Sequence, residues 1–142
     1  VKVTKEALSG FKGLVLVLYG DVPMVSRETM EKIVSNEADV VVLGFTPADA
    51  KAYGRLKGNE NGNLDAIIEY KDASDEERAI TLCNSGIMAL RGDSMFELLD
   101  VLSNDNAAGE YYLTDVVEIA NSKGLSCSVS LTSEQEVTGI NS

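Results

Sequence analysis

The chain has 142 residues, 44% of them hydrophobic, with 23 acidic side chains against 12 basic ones. That length allows one compact domain with a real core, and the formal charge of -11 excludes nucleic-acid backbone or an anionic membrane as the main partner. With no histidine, imidazole catalysis, Ser-His triads and most zinc chemistry are excluded, and two cysteines make no disulfide framework. No apolar run approaches the roughly 20 residues of a membrane span. The opening VKVTKEALSGF also lacks the features of a signal peptide, so the cytoplasm is the expected location.

In chain order, Thr4 to Phe11 reads as a short helix capped by Thr4, with Gly10 and Gly13 bracketing its end. Leu14 to Leu18 (LVLVL) is apolar at every position, the pattern of a strand covered on both faces in a parallel sheet. It stops at Tyr19-Gly20-Asp21-Val22-Pro23, since Pro23 cannot donate to a ladder. Ser26 caps a helix that places Met30, Ile33 and Val34 on one side. Ala38 to Phe45 is a second all-apolar strand, which completes a strand–helix–strand unit. Thr46 to Tyr53 is a loop.

Asn61-Gly62 then predicts a hairpin between the segments around Gly54-Arg55-Leu56 and Leu64 to Tyr70. Ser74 with Glu77 forms a capping box and starts a short helix. Ile80 to Cys83 and Ile87 to Leu90 are strand-like around Asn84-Ser85-Gly86. Asp93 caps a helix through Leu102, with Met95, Phe96, Leu98, Leu99 and Leu102 apolar. After a polar loop from Asn104 to Tyr112, Thr114 or Asp115 opens a helix that Gly124 ends, and Ser126 to Leu131 is a last strand. The order is α/β with antiparallel additions.

Ligands of open α/β sheets bind beyond the carboxyl ends of strands, where Asp21 stands and Gly20 lets backbone approach a ligand. A carboxylate there suits Mg²⁺ and a nucleotide phosphate, or simply satisfies turn backbone. Glu69 can take sugar hydroxyls or pair with Lys71. Asn84 can present its amide to a ligand or serve as a bulge residue. Gly109 to Asp115 (GEYYLTD) is a pocket wall or a helix cap. Cys83 and Cys127 lie in apolar, strand-like settings and read as packing residues.

Taken together, LYGDVP, AYGR, IIEYKDAS, NSGI, GEYYLTD and VTGINS occur in an order that resembles the uridylyltransferase domain of bacterial N-acetylglucosamine-1-phosphate uridylyltransferases, which also carry acetyltransferase activity. The resemblance runs from Leu14 onward. It implies a Rossmann-like nucleotide-diphospho-sugar transferase fold, with a mixed, mostly parallel sheet and helices on both faces. It implies Mg²⁺ held by Asp21 and Asn141, and nucleotide against Tyr19 and Gly20. Amino-sugar contacts fall on Gly54, Glu69 and Asn84, with Tyr112 and Thr114 as further contacts. The family reaction joins UTP and N-acetylglucosamine 1-phosphate to give UDP-N-acetylglucosamine and pyrophosphate. No protein nucleophile is required, because the sugar phosphate attacks directly.

The family's L-A-A-G-x-G-T-R-M loop, its lysine, the uracil-reading segment and the hexapeptide-repeat domain do not occur in these 142 residues. The expectation is therefore the C-terminal portion of the uridylyltransferase domain, inactive alone and stable beside its companion segment or another copy. Full-length members are expected to trimerise through the C-terminal domain. The alternatives are another sugar-1-phosphate nucleotidylyltransferase, or a non-catalytic binding domain of the same fold.

Overall fold

In the computed structural model, residues 13–17, 25–50, 52–58, 63–101 and 113–137 are described. The expected helix at Thr4 to Phe11, the loop from Asn104 to Tyr112 and the residues Tyr19, Gly20, Asp21, Tyr112 and Asn141 lie outside them. The apolar runs become β1 (Leu14–Val17) and β2 (Val40–Phe45), separated by helix α1 (Arg27–Ser35). The hairpin is β3 (Arg55–Gly58) with β4 (Leu64–Ile68), and the Ser74–Glu77 capping box opens α2 (Asp75–Arg78). One long strand, β5 (Cys83–Arg91), replaces the two strand-like pieces read around Asn84, and Ile80 to Leu82 stay outside it. Then follow α3 (Gly92–Asp100), α4 (Val116–Ser122), β6 (Cys127–Leu131) and a short α5 (Glu134–Val137) that the sequence reading did not foresee.

The sheet runs β4-β3-β5-β2-β6, with β1 also paired to β5. It is mixed, as expected, but the balance of ladders differs from the expected mostly parallel one. Among the described residues only β2 and β6 pair in parallel, while β1–β5, β2–β5, β3–β4 and β3–β5 are antiparallel. The strand–helix–strand unit is consequently split. β1 and β2 point the same way, but β5 lies between them, running opposite. An all-apolar strand records that both faces are covered and carries no information on direction.

That coverage is complete over β2 and the C-terminal half of β5. Val40, Val42, Met88 and Leu90 face Met95 and Leu98 of α3 and Val116, Val117 and Ala120 of α4. On the other face, Val41, Leu43, Ile87 and Ala89 meet Ile33 of α1 and Val137 of α5. β1 contributes to both faces and is half-buried. One expected core position fails: Val34 is 65% exposed, and Thr29 takes its place on the buried stripe of α1.

The reason Thr29 is tolerated there lies 107 residues away. Its hydroxyl donates to both carboxylate oxygens of Glu136, at 3.0 and 2.9 Å. The Ser26 backbone N–H donates to the same carboxylate at 2.8 Å, and the Thr132 hydroxyl also bonds it. Glu136 thus fastens α5 to the N-terminus of α1, where an anion is favoured. These bonds, from Thr132 first and then Ser26, pull its pKa from 4.5 down to about 2. A depressed carboxylate stabilises the fold above its unfolded pKa, and the effect is lost as pH falls from about 4.5 toward 2. Water screens this half-exposed group, so we expect Glu136→Gln to cost on the order of 1 kcal/mol at pH 7 and almost nothing at pH 2. Urea midpoints of both proteins across that range measure it, and a pH-independent difference would contradict the assignment.

Candidate functional site

The edge of β5 that faces β1 and β3 is served by two different strands. β1 pairs with its C-terminal half, ending at Val17 opposite Met88. β3 joins it only at the other end, where Arg55 sits opposite Cys83. Between them, among the described residues, no strand pairs with Ser85-Gly86-Ile87 on that side, and the ladder to β2 also slips there. Val42 pairs with Met88 and Gly44 with Asn84, so β5 spends four residues where β2 spends two. Gly86 adopts a φ of +92° inside this bulge, which glycine accommodates without strain. The bulge is held by its own side chains. Asn84 Oδ1 accepts from Gly86 N–H at 2.9 Å, while the Ser85 hydroxyl donates to Leu43 C=O at 2.6 Å and accepts from Ile87 N–H at 3.1 Å.

Three strands meet at one row beside this notch: Arg55 pairs with both Ile68 and Cys83. One step further along are Gly54, Glu69 and Asn84, so three of the predicted residues form the next row. Asn84 N–H donates to Gly54 C=O at 2.8 Å. A Cβ on Gly54 would stand 3.6 Å from Glu69 Oε2, in ordinary contact. The fourth described residue, Thr114, belongs to the 3₁₀ turn Leu113–Asp115 that leads into α4, and its hydroxyl donates to Glu69 Oε1 at 2.9 Å. Glu69 is therefore oriented by Thr114; the alternative pairing with Lys71 is not seen. Asn84 Nδ2 makes no hydrogen bond among the described residues and remains a donor for a ligand. Val17, two residues before Tyr19, directs β1 toward the same opening.

The notch is rimmed by acid. Burial first, then Glu118, Glu69 and Asp72, push the pKa of Asp115 upward. Cys83 and Cys127 are buried and their thiols are shifted up, mainly by burial, which fits packing rather than nucleophilic work. Among the described residues no group of three or more His, Cys, Asp or Glu could hold a metal ion, and no helix is long and apolar enough to cross a membrane.

No family model matches the chain. The bifunctional protein GlmU of Ruegeria sp. strain TM1040 is 54% identical over 97% of this chain and 31% of its own length. Those of Roseobacter denitrificans and Rhodospirillum rubrum are 52% and 51% identical over 99% and 96% of the chain, and 32% of each. The chain is GlmU-like throughout. It spans about a third of the length of the curated GlmU relatives it matches. Among solved structures, a candidate glucose-1-phosphate thymidylyltransferase from Bacillus anthracis, in complex with a sucrose, superposes with a TM-score of 0.67 at 17% identity. It covers 92% of this chain and 50% of that one. A nucleoside-diphosphate-sugar pyrophosphorylase from Vibrio cholerae RC9 gives 0.62 at 14%, over 94% and 54%. At those identities the likeness shows the fold, an α/β nucleotidyltransferase fold.

The raised pKa of Asp115 has a definite stability consequence. A carboxyl whose folded pKa exceeds its unfolded value favours the fold below the unfolded pKa and loses that benefit as pH rises through the folded one. We expect Asp115→Asn to raise the thermal midpoint at pH 7 by a few degrees, with the gain vanishing near pH 3. Calorimetry at both pH values checks it; a lower midpoint at pH 7 would mean that Asp115 is stabilised as an anion.

Proposed function

We propose that the chain is the sugar- and metal-binding part of a nucleotidyltransferase that joins UTP and N-acetylglucosamine 1-phosphate. The observation that supports this best is the gathering of Gly54, Glu69, Asn84 and Thr114 from four segments into one notch, bonded or in contact with one another. Those are the sugar-contact positions that the motif resemblance implies.

In this reading each residue has a separate task. Gly54 presents bare backbone, so the sugar ring can lie against β3. Glu69, fixed by Thr114, accepts from ring hydroxyls through a carboxylate that cannot swing away. The Asn84 amide donates to a hydroxyl or to the acetamido carbonyl, its oxygen already taken by Gly86. Tyr112 extends the pocket wall, and Tyr19 and Gly20 lie against the nucleotide. The sugar phosphate is itself the nucleophile, so these side chains hold it for in-line attack and exclude competing orientations.

Asp21 and Asn141 are proposed to hold Mg²⁺, a carboxylate and an amide oxygen being the hard donors this ion takes. When bound, the ion would neutralise charge growing on the pyrophosphate leaving group. One carboxylate and one neutral amide leave such an ion net positive, which reconciles an acidic chain with polyanionic substrates. The catalytic assignment to Asp21 and Asn141 rests on this. The family's triphosphate loop does not occur in these residues, so turnover is proposed to need a companion segment, and the cytoplasm is the proposed setting.

Pyrophosphate release from UTP in the full-length chain tests the reading. We expect release with N-acetylglucosamine 1-phosphate to exceed that with glucose 1-phosphate. Asp21→Asn should lower it by at least about a hundredfold with the far-UV spectrum unchanged. Equal rates with both sugars would favour another sugar-1-phosphate nucleotidylyltransferase. No release with any pair would favour the binding-domain reading.

A further inference from the structure

Gly54, Glu69 and Asn84 stand one step from the row in which Arg55 pairs with Ile68 and Cys83. Arg55 is 3% exposed, a buried guanidinium on the sheet face shared by Cys83 and opposite the α4 face used by Glu69. Its Nη1 donates to Ala50 C=O at 3.4 Å and to Tyr53 C=O. Its Nε donates to Arg78 C=O at 3.3 Å, and Nη1 lies 3.8 Å from Cys83 Sγ. The guanidinium also sits 5.7 Å from the Tyr70 ring centre, with Arg78 over the same ring at 4.0 Å.

Three of these five contacts end one residue from a member of the sugar row. Tyr53 precedes Gly54, Cys83 precedes Asn84, and Tyr70 follows Glu69. A planar fork with diverging donors can hold three carbonyls at once, whereas an ammonium is a point donor on a flexible stem. We propose that Arg55 is the positioning residue of the sugar subsite: it sets the spacing of Gly54, Glu69 and Asn84 from behind without touching substrate. The inference rests on the sugar-phosphate reading above and deepens it. A one-ångström misplacement of substrate-holding groups is enough to cost about a hundredfold in rate.

The test compares Arg55→Lys with Leu98→Ala, a core truncation under α3, in the full-length chain. For Arg55→Lys we expect KM for N-acetylglucosamine 1-phosphate to rise at least about tenfold while KM for UTP stays within about twofold. Leu98→Ala should lower the thermal midpoint and leave the ratio of the two KM values alone. A ratio unchanged in Arg55→Lys, or shifted equally in Leu98→Ala, overturns the inference. If Arg55→Lys does not fold, the wild type still decides. The ¹⁵N resonance of Arg55 Nε should move on saturation with N-acetylglucosamine 1-phosphate and stay put with UTP. An unmoved resonance overturns the inference. Wild-type protein that neither binds nor uses the sugar phosphate overturns the sugar reading and the inference with it.

Discussion

Everything at the notch follows from one constraint: among the described residues, two different strands share one edge of β5. Among the described residues β1 pairs as far as Met88 and β3 joins at Cys83, with no strand partner for Ser85, Gly86 and Ile87 on that side. Buried amides and carbonyls left unpaired are costly, so local side chains must take the ladder's place. Asn84 and Ser85 do this for Gly86, Ile87 and Leu43. The polar triplet in the middle of an otherwise apolar sheet is thus a structural necessity.

A second consequence concerns packing around the slip. Because β5 gains residues relative to β2, Gly44 is brought opposite Asn84, and a Cβ there would lie 2.7 Å from Leu56 and 2.9 Å from Val129. Only glycine lets those side chains from β3 and β6 close over β2. The bulge, the glycine and the placement of β3 are one interlocked arrangement. The row of Gly54, Glu69 and Asn84 adjoins this core.

The two-face burial of β1 and β2 was legible, since LVLVL and VVVLGF leave no polar face to expose. The caps were legible for the same kind of local reason: Ser26 and Ser74 bond the amides three residues on, as their spacing predicted. Strand direction was not, because it depends on β5 inserting between β1 and β2, a choice made by long-range pairing. Thr29 and Val34 traded places because Glu136, far away in sequence, supplies a partner for a buried hydroxyl. Gly54, Glu69, Asn84 and Thr114 were legible as separate motif positions, but their contacts were not. Arg55 was passed over, since an arginine beside a glycine reads as an exposed group. Its burial could have been suspected only from the apolar Leu56 and the strand register.

The distribution of charge then restricts how a sugar 1-phosphate can sit in the notch. Burial first, and then the charges of Glu118, Glu69 and Asp72, raise the proton affinity of Asp115. Two unit charges about 4 Å apart in a partly buried site repel by on the order of 4 kcal/mol. A phosphate next to Glu69 would meet that repulsion, whereas uncharged ring hydroxyls there gain charge-assisted hydrogen bonds. On the proposed reading the ring would occupy the Glu69 end of the notch, with its phosphate turned away from Glu69. An acidic rim at the sugar end and the proposed cation at the phosphate end would be complementary requirements. Together they would orient a substrate that hydrogen bonds to hydroxyls alone would hold in more than one way.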